Sequence, residues 1–231
     1  MADQIIRAGD AEVIVAGGME SMSNAPYFIP NARWGLRMGD SQVVDLMVHD
    51  GLTCSFNLVH MGTYGNTVAV ELDITREAQD AWACRSHERA LDSINSGKFK
   101  EEIVSVAVPQ RKGDSIVIEH DEAPRPGTNA EALAKLKPVF GKDGSITAGN
   151  APGVNDGAAA LVLMSEDRAK QEGKEVLAKI IGHTALAIEA KDFPKTPGLV
   201  INKLLEKTGK TISDIDLFEI NEAFAAVALA S

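Results

Sequence analysis

The run Val13-Ile14-Val15-Ala16-Gly17-Gly18 decides the fold class, because it joins a short apolar stretch to a pair of glycines. Residues 3–8 before it are typical of the last turns of a helix, and Gly9 would end that helix. An apolar run flanked by small residues is typical of a parallel strand in an α/β sheet, covered on both faces. The sequence therefore predicts a helix, a buried strand and a glycine turn within an α/β fold.

The same pattern returns after Gly157. Residues 158–164 form an apolar run, and Ser165 can cap a helix over residues 166–172 that ends at Gly173. These features predict a second strand followed by a helix.

The last third of the chain continues the alternation of strands and helices. Residues 178–187 and 215–220 are predicted strands. Between them, Thr196 is a candidate N-cap with Pro197 at the first helical position, and Gly209 would end that helix.

A long stretch of mixed character, residues 20–148, separates the two α/β portions and is interpreted as an insertion with its own structure. Its main predicted element is a helix with Thr75 as N-cap that continues until Gly97. Residues 103–108 and 116–118 are strand-like and are predicted to pair as a hairpin.

Composition restricts the classes of function. The 231 residues allow one large or two small domains, and 45% hydrophobic with 24% charged residues is typical of globular proteins. A net charge of −10 argues against nucleic acid or an anionic membrane as the main partner. No secretory signal and no apolar run of membrane-spanning length is found.

The two cysteines, Cys54 and Cys84, are too few for a disulfide framework, which favours a reducing cytoplasm. No Cys/His cluster suggests a metal site. A nucleophilic cysteine needs an electropositive setting, and neither has one in the sequence, so both are interpreted as packing residues.

Three segments are candidates for chemistry, each with a simpler structural alternative. Residues 147–158 are rich in small residues and form either a ligand-lining loop or a tight turn. His60 and Met61 either face a pocket or are ordinary surface or packing residues. Asn221 either holds a water or a carbonyl oxygen, or caps a helix that has Glu222 in its first turn.

Taken together, four motifs resemble the thiolases, the acetyl-CoA acetyltransferase family. They occur in the family's order and at similar spacing, and the resemblance covers the whole chain. The motifs are Gly17-Gly18-Met19-Glu20-Ser21-Met22-Ser23, His60-Met61-Gly62, residues 147–158 and Asn221-Glu222-Ala223-Phe224-Ala225.

The resemblance implies a thiolase-like αβαβα layered sandwich, incomplete here, with an inserted loop domain. It implies four parts: 1–21, the end of the N-terminal half; 22–149, the loop domain that binds coenzyme A; 150–174, the closing strand and helix of that half; and 175–231, the start of the C-terminal half.

The resemblance also implies a site. Asn221 matches the asparagine that positions the water of an oxyanion hole. Arg125 offers a planar cation for the adenine face and the phosphates. Ala132 and Pro152 stand where many members have serines, so two hydroxyl contacts are lost. The positions that match the lining of the coenzyme A and acyl pocket are Leu52, His60, Met61, Arg125, Val139, Phe140, Ala148, Gly153, Val154 and Phe224.

The implied activity is the interconversion of two acetyl-CoA with acetoacetyl-CoA and CoA. The family's nucleophilic cysteine precedes the Gly17-Gly18 strand, and its Gly-His-Pro histidine and second cysteine follow Ser231, so none of the three is in this sequence. The chain alone is therefore expected to be inactive. The alternatives are a non-catalytic CoA-binding or acyl-CoA-binding truncated homologue, and a misassembled fragment without a ligand.

The implied partners are CoA thioesters as substrates and further copies of the chain, as a dimer or tetramer, within lipid metabolism in the cytoplasm. No permanently bound cofactor, metal, nucleic acid or membrane is expected. Because sheet edges and apolar faces are expected to be uncovered, we expect aggregation or tight association with another chain.

Overall fold

The computed structural model describes all 231 residues. The helices are α1 (Ala2–Ala8), α2 (Met61–Glu71), α3 (Arg76–Asn95), α4 (Ala130–Ala134), α5 (Glu166–Gln171), α6 (Thr196–Thr208) and α7 (Ala225–Ala230). The strands are β1 (Val13–Ser21), β2 (Tyr27–Phe28), β3 (Val44–Asp45), β4 (Val106–Val108), β5 (Ile116–Ile118) and β6 (Asp156–Met164).

The chain divides into two compact units, which are described separately. Unit 1 comprises Met1–Val59, Val154–Ile188 and Gly198–Glu219. Unit 2 comprises His60–Gly153, Glu189–Pro197 and Ile220–Ser231. The four-part division that the resemblance implies stays a prediction.

The main sheet of unit 1 consists of β1 and β6, so strands are present at both predicted places. They pair antiparallel, from Val13 opposite Met164 to Ser21 opposite Asp156. The prediction of a parallel strand covered on both faces was wrong. Parallel strands are joined by helices that cover the sheet, whereas antiparallel strands need no such helix. In agreement with this, Val15 on β1 is 70% exposed.

The predicted strands at 178–187 and 215–220 do not form, and this prediction was also wrong. A strand needs a neighbouring backbone to pair with. In the first segment, side chains take the carbonyl oxygens instead: Arg7 donates to Ile180 O at 3.1 Å, and Lys207 donates to His183 O at 2.7 Å. This segment is therefore held by cationic side chains from two helices and has no sheet partner.

Helix boundaries follow the local sequence signals closely. Gly9 ends α1 in the left-handed region with φ 83°. Thr75 caps α3 by accepting a hydrogen bond from the Ala78 backbone N–H at 3.2 Å, and Ser165 caps α5 in the same way. The predicted hairpin is also confirmed, because β4 and β5 pair antiparallel.

One capping prediction was wrong. Thr196 does not precede α6 but is its first residue, because a 3₁₀ turn, Ala190–Lys195, leads directly into the helix. The Thr196 hydroxyl donates backwards to the Phe193 carbonyl oxygen at 2.6 Å and so joins the two turns.

The apolar core lies in unit 2, where α2, α7 and the segment around Ile146 meet. Small side chains along α7 let its backbone approach α2 closely. None of the helices combines the length and the apolar character of a membrane span. The buried core cluster comprises Ala69, Ile146, Phe224, Ala226 and Val227.

Candidate functional site

The first turn of α2 is capped by a histidine. Nδ1 of His60 accepts a hydrogen bond from the Gly62 backbone N–H at 3.0 Å. Since Nδ1 accepts this hydrogen bond, it carries no proton. The ring is partly buried, and this loss of solvent lowers the pKa of His60 below the usual value. At neutral pH the imidazole is therefore uncharged, with its proton on Nε2, where it can donate to a ligand.

Three rings form a continuous series beside this helix end. The His60 ring stacks on Phe140 with centroids 4.4 Å apart, and Phe140 meets Phe224 edge-to-face at 6.1 Å. Gly62 of α2 makes room for the Phe140 ring, because a Cβ there would collide with it, and Gly65 makes room for Ile146 in the same way. The absence of a side chain at Gly62 thus lets the Phe140 ring lie against the helix.

The segment that carries Phe140 is fixed by Asn66 of α2. The Asn66 amide donates to the Phe140 carbonyl oxygen at 2.9 Å. Its oxygen accepts from the backbone N–H groups of Ser145 and Ile146 at 3.0 and 3.1 Å. Three hydrogen bonds from one side chain therefore hold both ends of the turn that places Val139 and Phe140.

The small-residue loop is anchored by the buried Asn150. Its amide donates to Asp80 of α3 at 2.9 Å, and its side-chain oxygen accepts from the Thr147 backbone N–H at 2.8 Å. Its carbonyl oxygen accepts from Ala225 N–H at the start of α7, at 3.0 Å. Of residues 147–158, those at 147–150 form a turn, as the tight-turn interpretation expected, with Ala148 exposed on its surface, whereas residues 156–158 belong to β6.

The carboxylate of Glu222 joins the turn before α7 to helix α3. Glu222 accepts from Trp82 Nε1 at 2.7 Å and from the Ser86 hydroxyl at 2.5 Å, so both oxygens are bound one turn apart on α3. Asn221 is exposed beside it. The helix-cap interpretation of Asn221 was wrong, because α7 begins at Ala225 and Phe224 occupies the capping position.

The exposed Arg125 belongs to a turn that α3 also contacts. Its backbone N–H donates to His87 Nδ1 at 3.2 Å, and its carbonyl oxygen accepts from the Thr128 hydroxyl at 2.9 Å. Asn129 then caps α4 by accepting from Ala132 N–H at 2.9 Å. The backbone of this turn is fixed while the guanidinium extends into solvent.

Two family models match the chain in succession: the thiolase N-terminal domain over residues 1–167 and the thiolase C-terminal domain over residues 174–231. The chain belongs to the thiolase family. Among relatives, the acetyl-CoA acetyltransferase of Pseudomonas aeruginosa is 50% identical over 227 residues, covering 98% of this chain. A probable acetyl-CoA acyltransferase of Staphylococcus aureus is 44% identical and covers all of it.

Solved thiolase structures share the backbone fold. The Bacillus anthracis acetyl-CoA acetyltransferase has a TM-score of 0.94 and 44% identity over 99% of this chain. Human mitochondrial 3-ketoacyl-CoA thiolase has a TM-score of 0.92 and 38% identity. This thiolase chain spans about 58% of the length of these proteins. The thiolase-like α/β fold expected from the motifs is therefore confirmed.

Most of the predicted site residues of this thiolase chain lie in unit 2. Leu52 and Val154 lie in unit 1, the first at the end of a π-helical turn, Met47–Leu52, and the second on the surface. A shallow depression beside Met19 and Ala158, also in unit 1, includes none of the predicted site residues. Those in unit 2 are His60, Met61, Arg125, Val139, Phe140, Ala148, Gly153, Asn221 and Phe224.

Neither cysteine of this thiolase chain has the surroundings of a nucleophile. Cys54 is 5% exposed. Burial raises the pKa of the Cys84 thiol, and the carboxylates of Glu88 and Asp80 raise it further. Their interpretation as packing residues agrees with these surroundings.

Sequence reasoning missed the supporting residues on α3. Trp82 and Ser86 are spaced four apart and therefore share a helix face, which was the available signal for a common partner. His87 gave no signal, because its partner Arg125 lies 38 residues away in a loop. Glu222 was considered only as a first-turn helix residue, since its acceptor role depends on tertiary contacts.

Proposed function

We propose that this chain supplies the coenzyme A-binding surface and the oxyanion-supporting asparagine of a thiolase-type acyltransferase. The reaction joins the α-carbon of one acetyl group to the carbonyl carbon of another and releases one CoA thiol, and thiolysis is its reverse. The observation that carries the proposal is the ring series of His60, Phe140 and Phe224, set beside the exposed side chains of Val139 and Ala148.

The pantetheine arm of coenzyme A suits this surface. An apolar lining with few polar groups is typical of sites that bind such ligands. Phe140 and Val139 supply apolar area, while Nε2–H of the uncharged His60 can donate to an amide carbonyl of the arm. Arg125 has an exposed guanidinium for the adenine face and the phosphates, which gives a local positive charge on an acidic protein.

The role proposed for Asn221 is to hold a water that donates to the thioester oxygen as negative charge develops on it. Its side chain is exposed, and the next residue, Glu222, is held by two donors of α3. The turn therefore presents the amide from a fixed backbone.

The chain alone is proposed to bind but not to turn over. Covalent acyl transfer needs an activated thiolate. Burial of Cys54 and the raised pKa of Cys84 oppose formation of a thiolate at either cysteine. The nucleophile and the base are proposed to be supplied by residues outside this 231-residue sequence.

Calorimetric titration with CoA tests the binding surface. Saturable binding is expected, and Arg125→Ala should weaken it about tenfold, as for loss of a charge-assisted hydrogen bond. Arg111→Ala, the same charge change near the exposed β4–β5 hairpin, should leave the affinity within about twofold. The absence of binding heat would overturn the proposal and favour a fragment without a ligand.

A non-catalytic protein that binds CoA or acyl-CoA is the second candidate. It is favoured by the burial of Cys54 and by the raised pKa of Cys84. A thiolysis assay with acetoacetyl-CoA distinguishes the two if a polypeptide carrying the missing catalytic groups is supplied. Restored turnover supports the acyltransferase. Turnover by the chain alone would contradict our assignment of Cys54 and Cys84.

The setting proposed for this activity is lipid metabolism in the cytoplasm, in a homo-oligomer. Neither cysteine forms a disulfide bond, which agrees with a reducing compartment. The exposed apolar side chains of unit 1 agree with association between copies.

A further inference from the structure

We propose that His87 is a positioning residue, which holds the Arg125 turn in its ligand-binding conformation while Nδ1 is unprotonated and releases it when the ring is protonated. The inference rests on the proposed binding of coenzyme A by Arg125. It adds a control of that binding by pH, exerted through the backbone of the turn.

The geometry requires an acceptor. The backbone N–H of Arg125 donates to His87 Nδ1 at 3.2 Å, and an N–H can be received only by a ring nitrogen without a proton. Once imidazolium forms, both ring nitrogens are donors, so this hydrogen bond is replaced by the approach of two N–H groups. The hydrogen bonds to the Arg125 carbonyl oxygen, from the Thr128 hydroxyl and from the Thr128 backbone N–H, lie within the turn itself and do not join it to α3.

The charges around His87 come from two other segments. The Arg125 guanidinium disfavours imidazolium, whereas the Glu222 carboxylate favours it. On its own helix, Glu88 and Arg85 flank the ring in sequence with opposite charges. Burial is the largest influence and lowers the pKa of His87, so the switch lies below the usual value of 6.5.

Glu222 connects this pair to the turn that carries Asn221. Its two oxygens are taken by Trp82 and Ser86, so it faces α3 with its charge fixed near His87. One helix face therefore contacts two site loops: the Arg125 turn through a neutral nitrogen and the Asn221 turn through a carboxylate. The first of these contacts depends on the protonation state of His87.

The test compares CoA affinity, measured by calorimetry between pH 5 and 8, for the wild-type chain and two variants. His87→Gln keeps an acceptor that does not titrate, and His87→Leu removes the acceptor at every pH. The wild type should match His87→Gln at pH 8 and should fall toward His87→Leu at pH 5, losing about tenfold more affinity than His87→Gln. His120→Gln, at an exposed histidine, should retain the wild-type profile.

Titration of the phosphates of CoA and of His60 affects every variant equally, so only the difference between profiles reports on His87. Equal pH profiles for the wild type and His87→Gln would overturn the inference and leave the proposed function standing. No binding by any variant at any pH would overturn both.

A second measurement needs no ligand. In amide NMR spectra of the free chain, the Arg125 N–H resonance should shift with the same midpoint as the His87 ring, below pH 6.5, and should not titrate in His87→Gln. An Arg125 resonance that is constant across the titration of His87 would overturn the inference.

Discussion

Unit 2 contains a buried apolar core, although its β4–β5 hairpin is exposed, whereas unit 1 leaves most of its larger apolar side chains in contact with solvent. In unit 2, Ile146, Val68 and Phe224 are buried, and the buried Asn150 is hydrogen-bonded to Asp80 and to the Thr147 backbone. In unit 1, both strands of the main sheet expose apolar side chains, such as Leu161 at 67%. The hydrophobic effect therefore stabilises unit 2 internally, while unit 1 holds apolar area that is stabilised only when something covers it.

The motif glycines do not divide in the same way between the units. Gly62 and Gly65 of unit 2 allow neighbouring side chains to reach the axis of α2, and a Cβ at either position would collide with a neighbour. In unit 1, a Cβ on Gly17 would collide with the Ala159 carbonyl oxygen of the paired strand, whereas a Cβ on Gly18 would meet nothing within 4 Å. Gly18 is therefore a motif glycine at which an added methyl group has open space.

The largest expected effect concerns the state of association. Because the unit 1 sheet exposes apolar side chains on both strands, the isolated chain should form oligomers or aggregates at micromolar concentration. Light scattering coupled to size-exclusion chromatography measures this. A monodisperse monomer that melts cooperatively would break the comparison, since the open sheet would then need no cover.

Truncating one apolar side chain in each unit should give very different losses of stability. Ile146→Ala leaves a cavity in the unit 2 core and should lower the free energy of unfolding by about 3 kcal/mol. Leu161→Ala removes a largely exposed side chain and should change it by less than about 0.5 kcal/mol. Denaturant unfolding measures both losses: Trp82 fluorescence, with Trp34 replaced by Phe, reports on the unit that contains Ile146, and Trp34 fluorescence, with Trp82 replaced by Phe, reports on the unit that contains Leu161.

Equal losses for these two variants would mean that the exposed sheet is covered in solution. In that case the association of copies would stabilise unit 1, and the Leu161 effect should depend on protein concentration.

Adding a methyl group in each unit should give a smaller difference. Gly62→Ala drives a Cβ into the Phe140 ring, an overpacking cost of about 2 kcal/mol that the gain in helix propensity offsets by about 1 kcal/mol. Gly18→Ala enters open space and should be neutral. Unfolding midpoints compare the two variants, and CoA titration should show weaker binding for Gly62→Ala alone, because Phe140 must move away from His60.

Local signals in the sequence were sufficient to predict most helices. The caps at Thr75 and Ser165 and the stop at Gly9 depend on backbone groups within a few residues, so the sequence contains all the information required. Strand pairing depends on distant partners. The apolar run at 13–16 therefore predicted a strand correctly but gave its direction wrongly. Residues 178–187 pair with no other strand, and carbonyl groups of this segment accept hydrogen bonds from Arg7 and Lys207.

The candidate site shows the same difference between local signals and contacts to distant residues. The motifs predict Asn221, His60 and Phe224 as site residues because the resemblance aligns them by sequence. The residues that hold them in place were not identified, since Asn66, Trp82 and Ser86 act on backbone or side chains between 74 and 140 residues away. The four-residue spacing of Trp82 and Ser86 indicates a shared helix face but does not identify Glu222 as the partner, so only the folded chain reveals these contacts.

The smallest expected effect concerns the surface ion pairs of unit 1. Ion pairs join its segments: Glu166 contacts Lys170 of its own helix and Lys179 at 2.6 Å, and Arg168 contacts Glu12 at 3.1 Å. These lysines lower the pKa of Glu166 from 4.5 to about 2. A carboxylate with a depressed pKa contributes stability that is complete above its unfolded value and is lost as the pH falls through the folded value.

Replacing that carboxylate tests whether surface charge stabilises unit 1. The wild type should unfold at a slightly higher denaturant concentration than Glu166→Gln from pH 5 to 8, and the gap should close as the pH falls from about 4.5 to about 2. It should also shrink in high salt, because exposed pairs are screened. Glu175→Gln, an exposed carboxylate in the same unit, provides the matched control. A gap that persists at pH 2 would show that Glu166 acts through packing and not through its charge.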